Sequence, residues 1–173
     1  MKQDIEHNKD AADQVIDVNT GQVKVVSGSG VLRSVAIGSC VVVAALNFAK
    51  KIGAMAHIML PGSAPEDAPE KTKYAADAID EMLNLMGDEQ SQRSDIHVCL
   101  VGAGNVLKRN EDTICEANIE SIMRILKEKD IAVRASALGG TKRKSAYMDI
   151  DSGDISYTEG DEKEKILWQV DQL

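Results

Sequence analysis

The stretch that decides the fold is residues 38–61, Gly-Ser-Cys-Val-Val-Val-Ala-Ala-Leu-Asn-Phe-Ala-Lys-Lys-Ile-Gly-Ala-Met-Ala-His-Ile-Met-Leu-Pro. Two apolar runs flank a more polar segment, which predicts a β-hairpin of two buried strands. Paired residue numbers in an antiparallel hairpin add to a constant. Cys40 and His57 are equidistant from the Phe48–Ala49 junction, so we expect them to face each other, or to be within a residue or two of doing so.

A thiol beside an imidazole is the minimum apparatus for nucleophilic catalysis by cysteine. The imidazole of His57 can take the proton of the Cys40 thiol and later protonate the leaving group. The Gly38-Ser39 turn also leaves backbone N–H groups near Cys40, where they can stabilise an oxyanion. On the pattern alone the alternative stays open that Cys40 is a structural thiol and His57 a hydrogen-bonded core residue.

Composition limits the kinds of partner. The chain has 173 residues, 43% of them hydrophobic, which fits one domain with a substantial core. Its formal net charge of −8 disfavours nucleic acid and anionic membrane as partners. The three cysteines are odd in number and sparse, which indicates free thiols in a reducing compartment, so we expect a cytoplasmic protein. No apolar stretch is long enough to predict membrane insertion.

The pattern of elements predicts a layered α+β domain. We expect a flexible N-terminus over residues 1–12, one domain over 13–160 and a C-terminal tail over 161–173. One helix is predicted from near Thr72, a candidate cap, to Gly87, and a second from about Asp112 to Lys129. The predicted strands, eight or nine, occur in runs, so the helices should pack on one side of the sheets.

Other chemistry-bearing residues form weaker patterns. His97 and Cys99 share a strand face, but two ligands do not make a zinc site, so no metal is predicted. Gly102-Ala103-Gly104 lacks the third glycine of a dinucleotide fingerprint, and no organic cofactor is predicted. Cys115 lies near a helix start, where the dipole lowers a thiol pKa, but no histidine is close in sequence and a structural role is favoured.

Six motifs, in this order, resemble those of the CheD family of chemoreceptor glutamine deamidases, over roughly residues 15–158. They are Gly38-Ser39-Cys40-Val41, the stretch 51–61, Lys73-Tyr74-Ala75 at a helix start, Val101-Gly102-Ala103-Gly104-Asn105, Asn118-Ile119-Glu120 and Leu138-Gly139-Gly140.

The resemblance implies a layered α-β-β sandwich, with two main helices packed on mixed or antiparallel sheets, similar to the catalytic domain of cytotoxic necrotizing factor toxins. It implies hydrolysis of particular glutamine side chains on methyl-accepting chemotaxis receptors to glutamate, and in some members hydrolysis of receptor glutamate methyl esters. It implies a CheC-like phosphatase as a second partner and no cofactor.

The family resemblance also assigns roles to residues. Cys40 corresponds to the nucleophile and His57 to the general base, and Ser34 stands where the family usually has a threonine that orients the histidine. Four positions depart from the family pattern: Cys115, Ala117, Arg143 and Lys144. Three functions are therefore weighed: a receptor deamidase, a non-enzymatic partner of a CheC-like phosphatase, and a cysteine amidase of the same fold with another substrate.

Overall fold

The computed structural model describes residues 14–87 and 90–172, and the segment 1–12 that we predicted to be flexible lies outside them. The described part contains ten strands and two α-helices. The strands are β1 Val15–Asp17, β2 Val23–Ser27, β3 Val31–Ile37, β4 Val41–Asn47, β5 Ile52–Ile58, β6 His97–Gly102, β7 Val133–Leu138, β8 Lys144–Asp149, β9 Ile155–Glu159 and β10 Lys165–Trp168, and the helices are α1 Ala75–Leu85 and α2 Thr113–Glu128.

The strands form two five-stranded mixed sheets. The central sheet has the order β2-β5-β4-β6-β7 and the outer sheet the order β1-β3-β8-β9-β10. β6 pairs in parallel with β7, β1 pairs in parallel with β3, and the other neighbours are antiparallel. The predicted α+β architecture with mixed sheets is confirmed.

Strand β4 shows how the layers stack. All seven of its residues are buried. Val41, Val43 and Ala45 belong to the core that the central sheet shares with the two helices. Val42, Ala44 and Leu46 belong to the core between the two sheets. The central sheet is therefore covered on both faces, which explains why residues 41–46 read as an unbroken apolar run rather than an alternating one.

The predicted β4–β5 hairpin is present, with a register two residues away from direct opposition of Cys40 and His57. Val42 lies opposite His57 and Val41 opposite Ile58. Cys40 precedes the first of these pairs, so it is a diagonal neighbour of His57. In a regular sheet such neighbours are roughly 7–8 Å apart, within the range that we expected.

The start of the first helix differs from the prediction. Residues 71–73 form a single 3₁₀ turn, and α1 begins only at Ala75. Thr72 is not its cap: the Thr72 hydroxyl donates to the carbonyl of Gly21, 2.6 Å away. Tyr74 occupies the N-cap position without a side-chain hydrogen bond. Thr72 therefore ties the segment before α1 to the β1–β2 connection.

The segment assigned to a C-terminal tail contributes a strand. β10 pairs with β9 at the edge of the outer sheet, with an irregularity in register between Ile166 and Trp168. Trp168 is 3% exposed and lies in the core between the sheets. No helix in the described ranges is long and apolar enough to cross a bilayer.

Candidate active site

The turn that carries Cys40 connects the two sheets. Gly38, Ser39 and Cys40 link β3 of the outer sheet to β4 of the central sheet. The loop after β6 holds this turn by two hydrogen bonds: Ala103 N–H donates to the Cys40 carbonyl at 2.7 Å, and Gly104 N–H donates to the Gly38 carbonyl at 2.9 Å. The backbone on either side of Ser39 is therefore fixed.

A glycine is required where β6 passes this turn. Gly102 has φ +134°, and a Cβ built on it would lie 2.3 Å from the Cys40 carbonyl oxygen. Real Cβ atoms do not come so close to backbone oxygen. The glycine at the start of the Gly102-Ala103-Gly104 motif thus allows two backbone segments to pass close to each other. This close approach explains a glycine motif that does not match a dinucleotide fingerprint.

Ser34 lies just before an irregularity in β3. Ser34 pairs with Ala146 of β8, but the next pair is Ile37 with Lys144, so one extra residue is inserted in β3. The bulge includes Ala36, whose φ of +55° lies in the left-handed region. Such bulges bend a strand and redirect its side chains. Here the bulge separates Ser34, which is 2% exposed, from the turn that carries Cys40.

The structure brings Ser34 and His57 into contact across the two sheets. The Ser34 hydroxyl donates to the Val18 carbonyl at 2.7 Å, and its oxygen lies 2.8 Å from His57 Nδ1. Since the one hydroxyl proton points at Val18, Ser34 Oγ accepts from Nδ1–H. The Val18 carbonyl, 3.4 Å from Nδ1, is also only an acceptor. Nδ1 therefore carries the proton, and Nε2 keeps its lone pair.

The β1–β2 connection also fixes the backbone of His57. Gly21 N–H donates to the His57 carbonyl at 2.8 Å, and His57 N–H donates to the Gln22 carbonyl at 3.0 Å. Together with the Val18 carbonyl, these bonds hold both the main chain and the ring. The connection between β1 and β2, residues 18–22, thus supports the histidine.

Burial shifts the pKa of both groups towards their neutral forms. Burial raises the pKa of the Cys40 thiol, and the backbone N–H of Cys40 partly opposes that effect. Burial lowers the pKa of His57, with the Val18 carbonyl acting in the opposite direction. At neutral pH the site therefore rests as a thiol and a free-base imidazole. Such an imidazole is ready to act as a general base.

These shifts predict the order and pH dependence of alkylation. Iodoacetamide should label Cys40 before Cys99 and Cys115, because burial raises the pKa of both other thiols to about 12 and both are at most 3% exposed. The Cys40 rate should rise with pH, with a midpoint above the usual thiol value of about 8.5, because the raised pKa delays thiolate formation. Peptide mass spectrometry after timed labelling measures both. Equal labelling of the three thiols in the folded protein would contradict the prediction.

Replacing Ser34 tests the orientation of His57. In Ser34→Ala, Nδ1–H retains only the long contact to the Val18 carbonyl, 3.4 Å away. We expect kcat for the reaction proposed below to fall roughly ten- to hundredfold, because the imidazole is no longer held in one orientation. Ser34→Thr keeps the hydroxyl and should retain most of the activity. Equal losses in the two variants would show that the hydroxyl is not what matters.

Cys40 opens into a cavity of about 360 Å³. Gly38, Ser39 and the loop 104–107 line it, together with residues at the start of α2. Arg109 and Arg143 bring positive charge to it, and Asp112 brings negative charge. A larger cavity of about 860 Å³ lies between α2 and β7 and is not lined by Cys40, and His57 lines neither of these two cavities. The smaller cavity is the one that can admit a substrate side chain to the thiol.

Asn118 contacts the backbone of the candidate site, which the sequence did not reveal. Its side chain is fully buried, and Nδ2 donates to the carbonyls of Ser39 and Met59, each at 3.1 Å. The available signal was a polar residue within the apolar face of α2, between Ile114 and Ile122. A buried amide in such a stripe needs partners, and here its partners are the backbone of the candidate site.

The four positions that depart from the family pattern differ in their surroundings. Cys115 and Arg143 line the cavity next to Cys40. Ala117 lines a separate shallow depression beside Pro61. Lys144 is 3% exposed, donates to the Gly139 carbonyl and forms an ion pair with Glu159 at 3.9 Å. Two of the four changes therefore affect the cavity directly.

His97 and Cys99 lie away from this site. Arg134 Nε donates to His97 Nδ1 at 3.0 Å, and the His97 ring lies 5.4 Å from that of Trp168. Cys99 is fully buried between the sheets. Among the described residues, no group of three or more His, Cys, Asp or Glu side chains is placed to hold a metal ion.

Comparison with known proteins gives consistent relatives. The family model described as CheD chemotactic sensory transduction matches residues 59–159. A probable chemoreceptor glutamine deamidase CheD of Chlorobium luteolum is 33% identical over 150 residues, 86% of this chain and 75% of the relative. The chemoreceptor glutamine deamidase CheD of Thermotoga maritima is 27% identical over 139 residues, 80% of this chain and 87% of the relative.

The fold and the site define an α+β sandwich protein with a thiol at a cavity and a Ser–His pair that bridges its two sheets. The family match and the relatives identify it further: the chain belongs to the CheD family.

Proposed function

We propose that the chain is a cysteine amidohydrolase that deamidates glutamine side chains of methyl-accepting chemotaxis receptors to glutamate. The observation that carries the proposal is the Ser34–His57 contact of 2.8 Å, which leaves the lone pair of the imidazole on Nε2, while Cys40 lies two residues from His57 in the hairpin register. The names of the relatives supply the substrate class.

The first half of the reaction forms a thioester. His57 Nε2 takes the proton of Cys40 as Sγ attacks the carboxamide carbon, so the C–S bond forms and the carbonyl π pair moves to oxygen. The Cys40 N–H, which has no other acceptor in the described chain, stabilises this oxyanion. The C–N bond then breaks, His57 returns its proton to the leaving nitrogen, and ammonia departs.

The second half releases glutamate. His57 takes a proton from a water molecule, which attacks the thioester carbonyl. The C–S bond breaks, and the proton on His57 returns to the Cys40 sulfur. The net change is one amide and one water converted to one carboxylic acid and one ammonia. These steps use only groups of the chain, the substrate amide and water.

Two other expectations accompany this proposal. A CheC-like phosphatase is proposed as a second protein partner, in the same cytoplasmic compartment. The stacking of two helices on two sheets also supports the proposed similarity to the catalytic domain of cytotoxic necrotizing factor toxins.

Peptide mass spectrometry of receptor fragments incubated with the purified protein tests the function. We expect an amide-to-acid mass change at particular glutamines, absent without the protein. Acylation of Cys40 by p-nitrophenyl acetate with every receptor glutamine intact would instead favour a cysteine amidase with another substrate. A protein that does neither would be a non-enzymatic member of the family.

A further inference from the structure

Asn118 of α2 reaches the candidate site from the helical layer. It is fully buried, and its Nδ2 bridges the carbonyls of Ser39 and Met59. The hairpin register pairs Val41 with Ile58, so Met59 is the residue opposite Cys40, one step beyond the last pair. The amide of Asn118 thus joins the two strand ends where the regular ladder of hydrogen bonds stops.

The orientation of this amide is unambiguous. Asn118 Oδ1 is buried and has no hydrogen-bond partner among the described residues. Exchanging the positions of Oδ1 and Nδ2 would turn an acceptor towards two carbonyl oxygens, which is repulsive. Both N–H groups are therefore committed to the two carbonyls, and the chain leaves one buried oxygen unsatisfied to achieve this. A buried unsatisfied group of this kind calls for a reason.

The Ser39–Cys40 peptide group supplies that reason. In a trans peptide the carbonyl oxygen and the following N–H point in opposite directions. Since Asn118 draws the Ser39 carbonyl towards α2, the Cys40 N–H must point away from α2. That N–H interacts with the Cys40 sulfur itself and is used by no other acceptor in the described chain. It is therefore available, beside the attacking sulfur, to a carbonyl oxygen that develops negative charge there.

We propose that Asn118 is a positioning residue, which fixes the Ser39–Cys40 peptide plane so that the Cys40 N–H can donate to the oxyanion formed when Cys40 attacks a carbonyl. The inference rests on the proposed function only in that a carbonyl group is attacked. Asn118 itself touches neither the substrate nor the sulfur in this proposal. Its effect should appear wherever an oxyanion develops and vanish where none does.

Two electrophiles separate this role from general packing. The Cys40 sulfur attacks the saturated carbon of iodoacetamide that bears the iodine. The C–S bond forms, iodide leaves, and no oxyanion develops. p-Nitrophenyl acetate acylates Cys40 through attack on a carbonyl: the C–S bond forms, an oxyanion develops, and p-nitrophenolate leaves. Both reactions need the same thiolate, so their rate ratio at one pH cancels changes in thiol ionisation.

The variant Asn118→Leu replaces the amide by an apolar side chain of similar size. We expect its alkylation rate to stay within about twofold of wild type and its acylation rate to fall roughly ten- to hundredfold. Asn118→Ala should show the same selective loss. Alkylation within twofold also reports that the site is still folded. Parallel loss of both rates, or no loss of either, would overturn the inference.

Ser121→Ala is the matched control. Ser121 lies one turn further along α2. It also forms a hydrogen bond to the segment that follows β5 of the central sheet, because its Oγ accepts from Gly62 N–H at 2.8 Å. It does not bond Ser39 or Met59. The ratio of acylation to alkylation should be that of wild type, and a fall like that of Asn118→Leu would assign the effect to helix docking instead. A wild-type protein that is acylated but deamidates no receptor would refute the proposed function, while the ratio would still test Asn118.

Discussion

Replacing Cys40 by alanine should abolish the conversion of receptor glutamine to glutamate, by at least about 10⁴-fold. The reason is that no other thiol can substitute. Cys99 is sealed between the sheets, and burial raises the pKa of Cys115 to about 12. Peptide mass spectrometry of receptor fragments measures the conversion. The free energy of unfolding should change by less than about 1 kcal/mol, because Cys40 is only partly buried.

Cys99→Ala provides the matched control for that variant. It also removes one thiol, but from the core between the sheets, away from the cavity. It should lose some stability through the space left behind and keep its deamidation rate. Deamidation that persists in Cys40→Ala would exclude Cys40 as the nucleophile. Loss of activity in Cys99→Ala without unfolding would show that the chemistry depends on a second thiol.

Gly102→Ala should damage both stability and activity. The new Cβ would be 2.3 Å from the Cys40 carbonyl oxygen and 2.8 Å from Ile37 Cγ2, and φ there is +134°. Strain and overpacking together should lower the free energy of unfolding by about 4 kcal/mol. Because the clash displaces the turn that carries Cys40, the proposed nucleophile, kcat should fall about 10²-fold in the protein that remains folded. Denaturant unfolding and single-turnover deamidation measure the two effects.

Gly28→Ala separates backbone strain from the clash. Gly28 also has a positive φ, +88°, but nothing lies within 4 Å of a Cβ built on it. Gly28→Ala should lower the free energy of unfolding by about 1 kcal/mol and leave kcat unchanged. Equal effects of the two substitutions would mean that the close approach of β6 to Cys40 is unimportant.

The hairpin was predictable from sequence, but its register was not. Two long apolar runs separated by a polar segment were enough to predict strands β4 and β5. The register depends on a four-residue turn, 48–51, in which Lys51 N–H donates to the Phe48 carbonyl and Lys51 has φ +52°. A lysine in the left-handed region gives no compositional signal, whereas glycine or asparagine would have. The pairing centre was therefore placed one residue too early in the chain.

The residues that support the site were the least predictable. Ser34 and His57 are 23 positions apart and meet only because two sheets stack, so spacing within either strand says nothing about their contact. Family resemblance, not periodicity, pointed to Ser34. Likewise, Thr72 looked like a helix cap because it precedes an apolar face, but its hydroxyl bonds Gly21, a partner distant in sequence. Tertiary contacts decide which hydrogen-bond partners such polar side chains have.

The Ser34–His57 bond has a consequence for how this protein can change over time. The hydroxyl belongs to β3 of the outer sheet and the imidazole to β5 of the central sheet, so the tautomer of the imidazole depends on how the two layers are aligned. On the proposed mechanism, a core substitution that slid one layer past the other by about 1 Å would lower activity while leaving a well-folded protein. We therefore expect substitutions of apolar residues between the layers, such as Met148 and Leu32, to lower activity through this alignment as well as through stability.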